Sequence, residues 1–138
     1  MVVGLDVGTR RIGVARGDME TKIASPLQPL IRDDDVFDNI AEIIRENQAE
    51  IAVIGLPRDQ AGRETAQSTF SRNFAKDLAT KTSVKIVFQD ESLTSVEAEK
   101  NLRSRKNFRE SMLRDGTLDS ESAALILQDF LEGDYAAA

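Results

Sequence analysis

Asp6, the Asp90-Glu91 pair and Asp119 are acidic positions far apart in the chain, and each sits at the edge of an apolar segment. Asp6 falls where the run Val2 to Leu5 ends, Asp90-Glu91 follow Val84 to Phe88, and Asp119 opens an apolar helix-patterned stretch. A carboxylate in such a place is expensive to desolvate unless a positive partner compensates it. Each position also has a simpler local explanation. Asp6 can cap a turn, Asp90 and Glu91 can be solvated at a strand end, and Asp119 can be a helix N-cap. For Asp6 the compensator is either a divalent cation or one of the adjacent Arg10 and Arg11. If the three positions meet, their charges raise one another's pKa until a cation neutralises them. The chemistry they then define is hard-metal chemistry on oxygen ligands.

Composition narrows the alternatives. The 138 residues contain neither Cys nor His, which removes disulfides, thiolate and imidazole metal sites, and Ser-His-Asp or Cys-His nucleophiles. Any metal must therefore be of the Mg²⁺ or Mn²⁺ type. No apolar run has membrane-spanning length, and Met1 leads straight into a strand, so a single cytoplasmic domain over 1–138 is expected. The net charge is −6, but Lys100, Arg103, Arg105, Lys106, Arg109 and Arg114 share a window with one acid, Glu110. That window carries +5 and the remainder −11. A local basic patch is what nucleic-acid binding requires, although a solvated loop has the same composition.

The elements that would position these residues follow in order. Val2 to Leu5 and Ile12 to Ala15 read as a hairpin, and Ile23 to Ile31 as an edge strand confined to the margin by Pro26 and Pro29. An acidic start at Asp33 to Asp35 opens a helix to about Gln48, with Val36, Phe37, Ile40, Ile43 and Ile44 on one face. Ile51 to Leu56 reads as a central parallel strand ended by Pro57, followed by a polar loop from Arg58 to Arg63. A helix from Glu64 to Thr80 presents Phe70, Phe74 and Leu78, and the next strand is Val84 to Phe88. Thr94 and Glu97 suggest a capping box for a helix to about Arg103. Asp119 opens the last helix, with Gly133 just past its end and a frayed tail over Ala136 to Ala138. The pattern is α/β, a mixed sheet flanked by helices, in which ligands gather at the carboxyl ends of parallel strands.

Four short motifs in register carry a resemblance over essentially the whole chain. They are Gly4-Leu5-Asp6-Val7-Gly8 with Arg11-Ile12-Gly13-Val14-Ala15, Gly55-Leu56-Pro57, Asp90-Glu91-Ser92-Leu93-Thr94-Ser95, and Asp119 with Ala123-Ala124 and Ile126-Leu127-Gln128. The chain resembles the YqgF family, also called RuvX, whose members are RuvC-like proteins proposed to mature pre-16S rRNA and once described as Holliday junction resolvases. The resemblance implies a ribonuclease H-like fold with a five-stranded sheet, order 3-2-1-4-5 and strand 2 antiparallel. It also implies catalytic and metal-ligand roles for Asp6, Glu91 and Asp119. The family commonly has Arg after the Asp-Glu pair, where this chain has Ser92. If that Arg grips a phosphate, the task passes to Arg10 or Arg58.

On this reading Asp6, Glu91 and Asp119 hold two Mg²⁺ or Mn²⁺ ions about 3.5–4 Å apart, with Asp6 bridging. Arg10, Arg11, Arg58, Arg103, Arg105, Lys106 and Arg109 neutralise flanking phosphates, and Phe108 either stacks on a base or anchors its loop. The expected partner is nucleic acid, pre-rRNA or branched DNA, with no membrane; the oligomeric state is not legible. Two rivals stand beside it. Asp6-Val7-Gly8-Thr9 also matches the phosphate strand of actin-like phosphotransferases, but those need two lobes and this chain has room for one. A non-catalytic nucleic-acid-binding module of the same fold is the other, and clustered acids argue against it.

Overall fold

A computed structural model describes residues 1–91 and 94–133, with Thr94 and Ser95 described by their backbone alone. β1 (Val2–Val7) and β2 (Arg11–Gly17) form an antiparallel hairpin in which Asp6 pairs with Gly13. β5 (Ile51–Pro57) and β6 (Lys85–Glu91) continue the sheet in parallel on the other side of β1. α1 (Val36–Glu46) and α2 (Ala66–Ala79) precede β5 and β6, and α3 (Thr94–Arg103) leads through a 3₁₀ turn at Glu110–Leu113 to α4 (Thr117–Glu132).

Strand alternation sorts the side chains onto two faces. Val3, Leu5, Val7, Ile12 and Val14 pack on Ile40, Phe74 and Leu78 of α1 and α2, where the Phe37 and Phe74 rings lie 4.8 Å apart. Val2, Ala15 and Val53 pack on Ala123, Ile126, Leu127 and Phe130 of α4. Asp6 alternates onto the α4 face, at the end of β1 where that helix begins.

With the short strand Ala24–Pro26 as β3, the sheet order is β3-β2-β1-β5-β6, the expected order, but with six strands rather than five. The expected edge strand over 23–31 is broken into β3 (Ala24–Pro26) and β4 (Leu30–Ile31), which pair separately with β2. Pro26 and Pro29 have no N–H to donate, so continuous pairing is not available. The gap exposes the Val14 N–H, and the Ser120 hydroxyl from α4 accepts it at 3.1 Å. Two further boundaries differ from expectation. β6 runs through Glu91, so Asp90 and Glu91 lie within the strand rather than after it. α4 starts at Thr117 with Gly116 as its cap, so Asp119 is in the first turn and is not the N-cap. Gly116 has φ +100, a left-handed conformation that side chains avoid, and its bare Cα packs on Pro29 and Arg11. The Thr94 side chain of the expected capping box, Ser92, and the tail over 136–138 lie outside the described residues.

Candidate active site

The site is built around a row of three residues across the sheet. Asp6 on β1 pairs with Gly13 of β2, and continuing the β1–β5 register beyond Leu5 and Ile54 sets Gly55 on its other side. Both neighbours lack a Cβ, and each vacancy is filled by the segment carrying another carboxylate. A Cβ on Gly13 would lie 2.0 Å from the Asp119 carbonyl oxygen and 2.8 Å from the Ser120 nitrogen. The first turn of α4 therefore rests directly on the β2 backbone. A Cβ on Gly55 would lie 3.1 Å from Glu91 Oε2 and 2.6 Å from Ile126 Cδ1. The Glu91 carboxylate leans over β5 toward β1 through that opening.

The electrostatics follow from this crowding. Asp6 is pushed up to about 8, first by burial and then by the negative charges of Glu91 and Asp119. Asp119 is also raised by burial, while Arg11 pulls it the other way. A cleft of about 240 Å³ reaches Asp119 and is otherwise lined by Gly8, Thr9, Arg10 and Arg11. Among the described residues no three acidic side chains stand close enough to form a ready-made cation cage. The structure thus puts Asp6, Glu91 and Asp119 on one face and in electrostatic reach of Asp6 without closing them around an ion. Their donor chemistry, all carboxylate oxygen with one member that gives up its proton only near pH 8, fits a hard divalent cation.

The expected phosphate-gripping residues divide into two groups. Arg10 is exposed and Arg11 half-buried beside Asp119. Arg58 is engaged, its Nε donating to Asp90 Oδ1 at 2.8 Å and its Nη1 to the Gly62 carbonyl at 3.3 Å, which ties the 58–64 loop to the end of β6. Arg103 pairs with Glu99 and Glu110 and covers the Phe108 ring, so Phe108 anchors this segment. Arg105 donates its Nε to Glu121. Lys106 and Arg109 are exposed and meet no carboxylate among the described residues.

Sequence reasoning missed Arg32. Its Nη1 donates to the Gly8 carbonyl at 3.2 Å, and its guanidinium lies 4.5 Å from the Phe70 ring centre and 5.0 Å from that of Phe74. It props the turn that follows Asp6, and no local pattern marks it, because Phe70 and Phe74 reach it only through tertiary packing. Gly13 and Gly55 were visible only as motif members; their role becomes clear once the register places them on either side of Asp6.

A mixed sheet in this order, with a helix carrying an aspartate laid across its first strand, defines a ribonuclease H-like fold. The solved structure "T. thermophilus RuvC in complex with Holliday junction substrate" shares that fold at a TM-score of 0.55 and 13% identity, over 99% of this chain and 94% of that one. The family model described as "RuvX: Holliday junction resolvase" matches residues 1–133, and the chain belongs to this family. A relative from Anaeromyxobacter sp. is 40% identical over 137 residues, covering 97% of this chain and 98% of the relative. Another from Edwardsiella ictaluri is 38% identical over 136 residues, covering 97% and 96%. Both bear the name "Putative pre-16S rRNA nuclease". Among the described residues no helix is long and apolar enough to cross a membrane.

Proposed function

We propose that this chain is a divalent-metal-dependent nuclease that hydrolyses phosphodiester bonds at the 5′ end of pre-16S rRNA. The observation that carries the reading is Asp6, a carboxyl flanked by two glycines through which Asp119 and Glu91 approach, and raised to about 8 by burial and their charges. Such an arrangement holds a proton on Asp6 until a cation takes its place. Asp6, Glu91 and Asp119 would hold Mg²⁺ or Mn²⁺, which when bound supplies Lewis-acid activation of water and neutralises charge at phosphorus. Arg11 sits beside Asp119 and Arg10 at the mouth of the same cleft, placed to orient a phosphate. Lys106 and Arg109 extend that grip along the strand. With water as the nucleophile no side chain need attack, which suits a chain without His or Cys. The names of the relatives support pre-rRNA as substrate, and the family's description supports branched DNA as its rival.

The test is a cleavage panel of labelled pre-16S rRNA, linear RNA and four-way DNA junctions with Mg²⁺ or Mn²⁺. Pre-rRNA is expected to be cut in preference, and Asp6→Asn to lose cleavage by about a hundred- to a thousandfold, the scale of removing one preorganised electrostatic group. Asp6→Asn that still cleaves would remove the carboxylate mechanism, and preferential junction cutting would replace the substrate.

A further inference from the structure

Glu121 is the most deeply buried acidic or basic residue among the described residues, at 3% exposure. It lies on α4 two residues beyond Asp119, and the mechanism above gives it no task. Its partner is Arg105, whose Nε donates to Glu121 Oε1 while the Arg105 side chain stays 45% exposed. One edge of the guanidinium is therefore fixed, which leaves its other N–H donors to serve a further acceptor.

Arg105 lines two neighbouring grooves of about 470 and 410 Å³. The larger runs between Pro26–Pro29 and α4, and its wall includes Thr117 and Ser120 from the same helical turn as Asp119. A strand entering the cleft at Asp119 and crossing Gly116 would pass over this groove. Among the described residues Arg105 is the sole cation lining either groove, whereas Asp115 and Glu121 both line the larger. Net charge there does not attract phosphate. What the groove offers is a guanidinium fork already aimed, its rotamer freedom spent before the ligand arrives.

We propose that Arg105 contacts a backbone phosphate of the bound nucleic acid beside the cleavage site, and that Glu121 is the positioning residue that aims it. The inference rests on the nucleic-acid-binding part of the proposed function. It separates sharply from a charge-only account. Removing the Glu121 charge makes the groove more positive, so simple electrostatics requires tighter binding, whereas loss of aim requires weaker binding.

The experiment measures Kd for a labelled RNA of the pre-16S 5′ region in EDTA across a salt series, with thermal melting as a control, for Glu121→Gln and Arg105→Lys. Arg105→Lys keeps a cation against Glu121, so it decides the question if Glu121→Gln does not fold. Each variant is expected to weaken binding about five- to tenfold, the scale of one charge-assisted hydrogen bond. The slope of log Kd against log salt stays unchanged in Arg105→Lys, which keeps its cation, and falls by at most about 0.7 in Glu121→Gln, one phosphate contact on a single strand. Unchanged or tighter binding by Glu121→Gln overturns the proposal. A slope that falls by about 1.4 or more means that two or more contacts of the 104–109 segment are lost together, which makes the pair an anchor and also overturns it. If the unmodified protein does not bind, the proposed function falls with this inference; if it binds and both variants match it, only this inference falls.

Discussion

The Asp6 carboxyl keeps its proton to about pH 8 because ionising it means placing a charge in a desolvated slot already faced by Glu91 and Asp119. The unfolded chain releases that proton near the ordinary carboxylate value of 3.8. Between those limits the folded state binds more protons, so stability in cation-free buffer falls as pH rises from about 4 to about 8. The slope from this one group is at most about 1.4 kcal/mol per pH unit. Melting temperature in EDTA is accordingly expected to decline between pH 5 and 8, with a flatter profile for Asp6→Asn. Saturating Mn²⁺ replaces the proton and raises the melting temperature at pH 8, by about 3 °C for each kcal/mol of binding linkage. Identical pH profiles for the unmodified protein and Asp6→Asn would remove the buried-charge account. At this scale the sequence did expose the acids, since a carboxylate ending an apolar run is anomalous wherever the chain goes. It hid Arg32 and Glu121, whose partners lie 24 or more positions away at Gly8 and Phe70 and 16 positions away at Arg105.

Elements set the spacing of those acids, and two glycines determine how closely the elements approach. Gly13→Ala puts a methyl carbon 2.0 Å from the Asp119 carbonyl oxygen, where only backbone is present to yield. The first turn of α4 must lift, taking with it Asp119 and the Ser120 bond to Val14. Gly55→Ala meets the flexible Ile126 Cδ1 at 2.6 Å and Glu91 Oε2 at 3.1 Å, so the side chains can rotate aside. Overpacking of this kind costs about 1–3 kcal/mol, and Gly13→Ala is expected at or beyond the upper end with Gly55→Ala near the lower. Denaturant melts check that order, and Mn²⁺-dependent stabilisation is expected to shrink in both. Equal, small losses in the two variants would mean that α4 does not rest on β2 as described. The strand and helix pattern itself was legible, from hydrophobic period and from where Pro and Gly fall. The split edge was only half legible: Pro26 and Pro29 marked the margin, but that a serine 106 positions from Val14 fills the gap is a fact of tertiary packing.

Over the whole molecule, a net charge of −6 is compatible with the proposed nucleic-acid-binding role because the positive charge is local, and ion pairing then decides how much of it is available. Composition counts six basic residues from 100 to 114 as equivalent, but the fold does not. Arg103 is shared between Glu99 and Glu110 and lies over Phe108, so its charge is largely compensated before any phosphate arrives. Lys106 and Arg109 are exposed and carry no such partner among the described residues. Counterion release counts phosphates newly neutralised, so the two kinds of residue part company in a salt titration. Lys106→Gln and Arg109→Gln are each expected to flatten the slope of log affinity against log salt by about 0.7 on single-stranded RNA. Arg103→Gln is expected to leave that slope nearly unchanged and to lower the melting temperature instead, since it uncovers Phe108 and frees two carboxylates. Equal flattening by all three substitutions would show that the segment binds as an undifferentiated basic loop, with its internal pairs broken on contact with the strand.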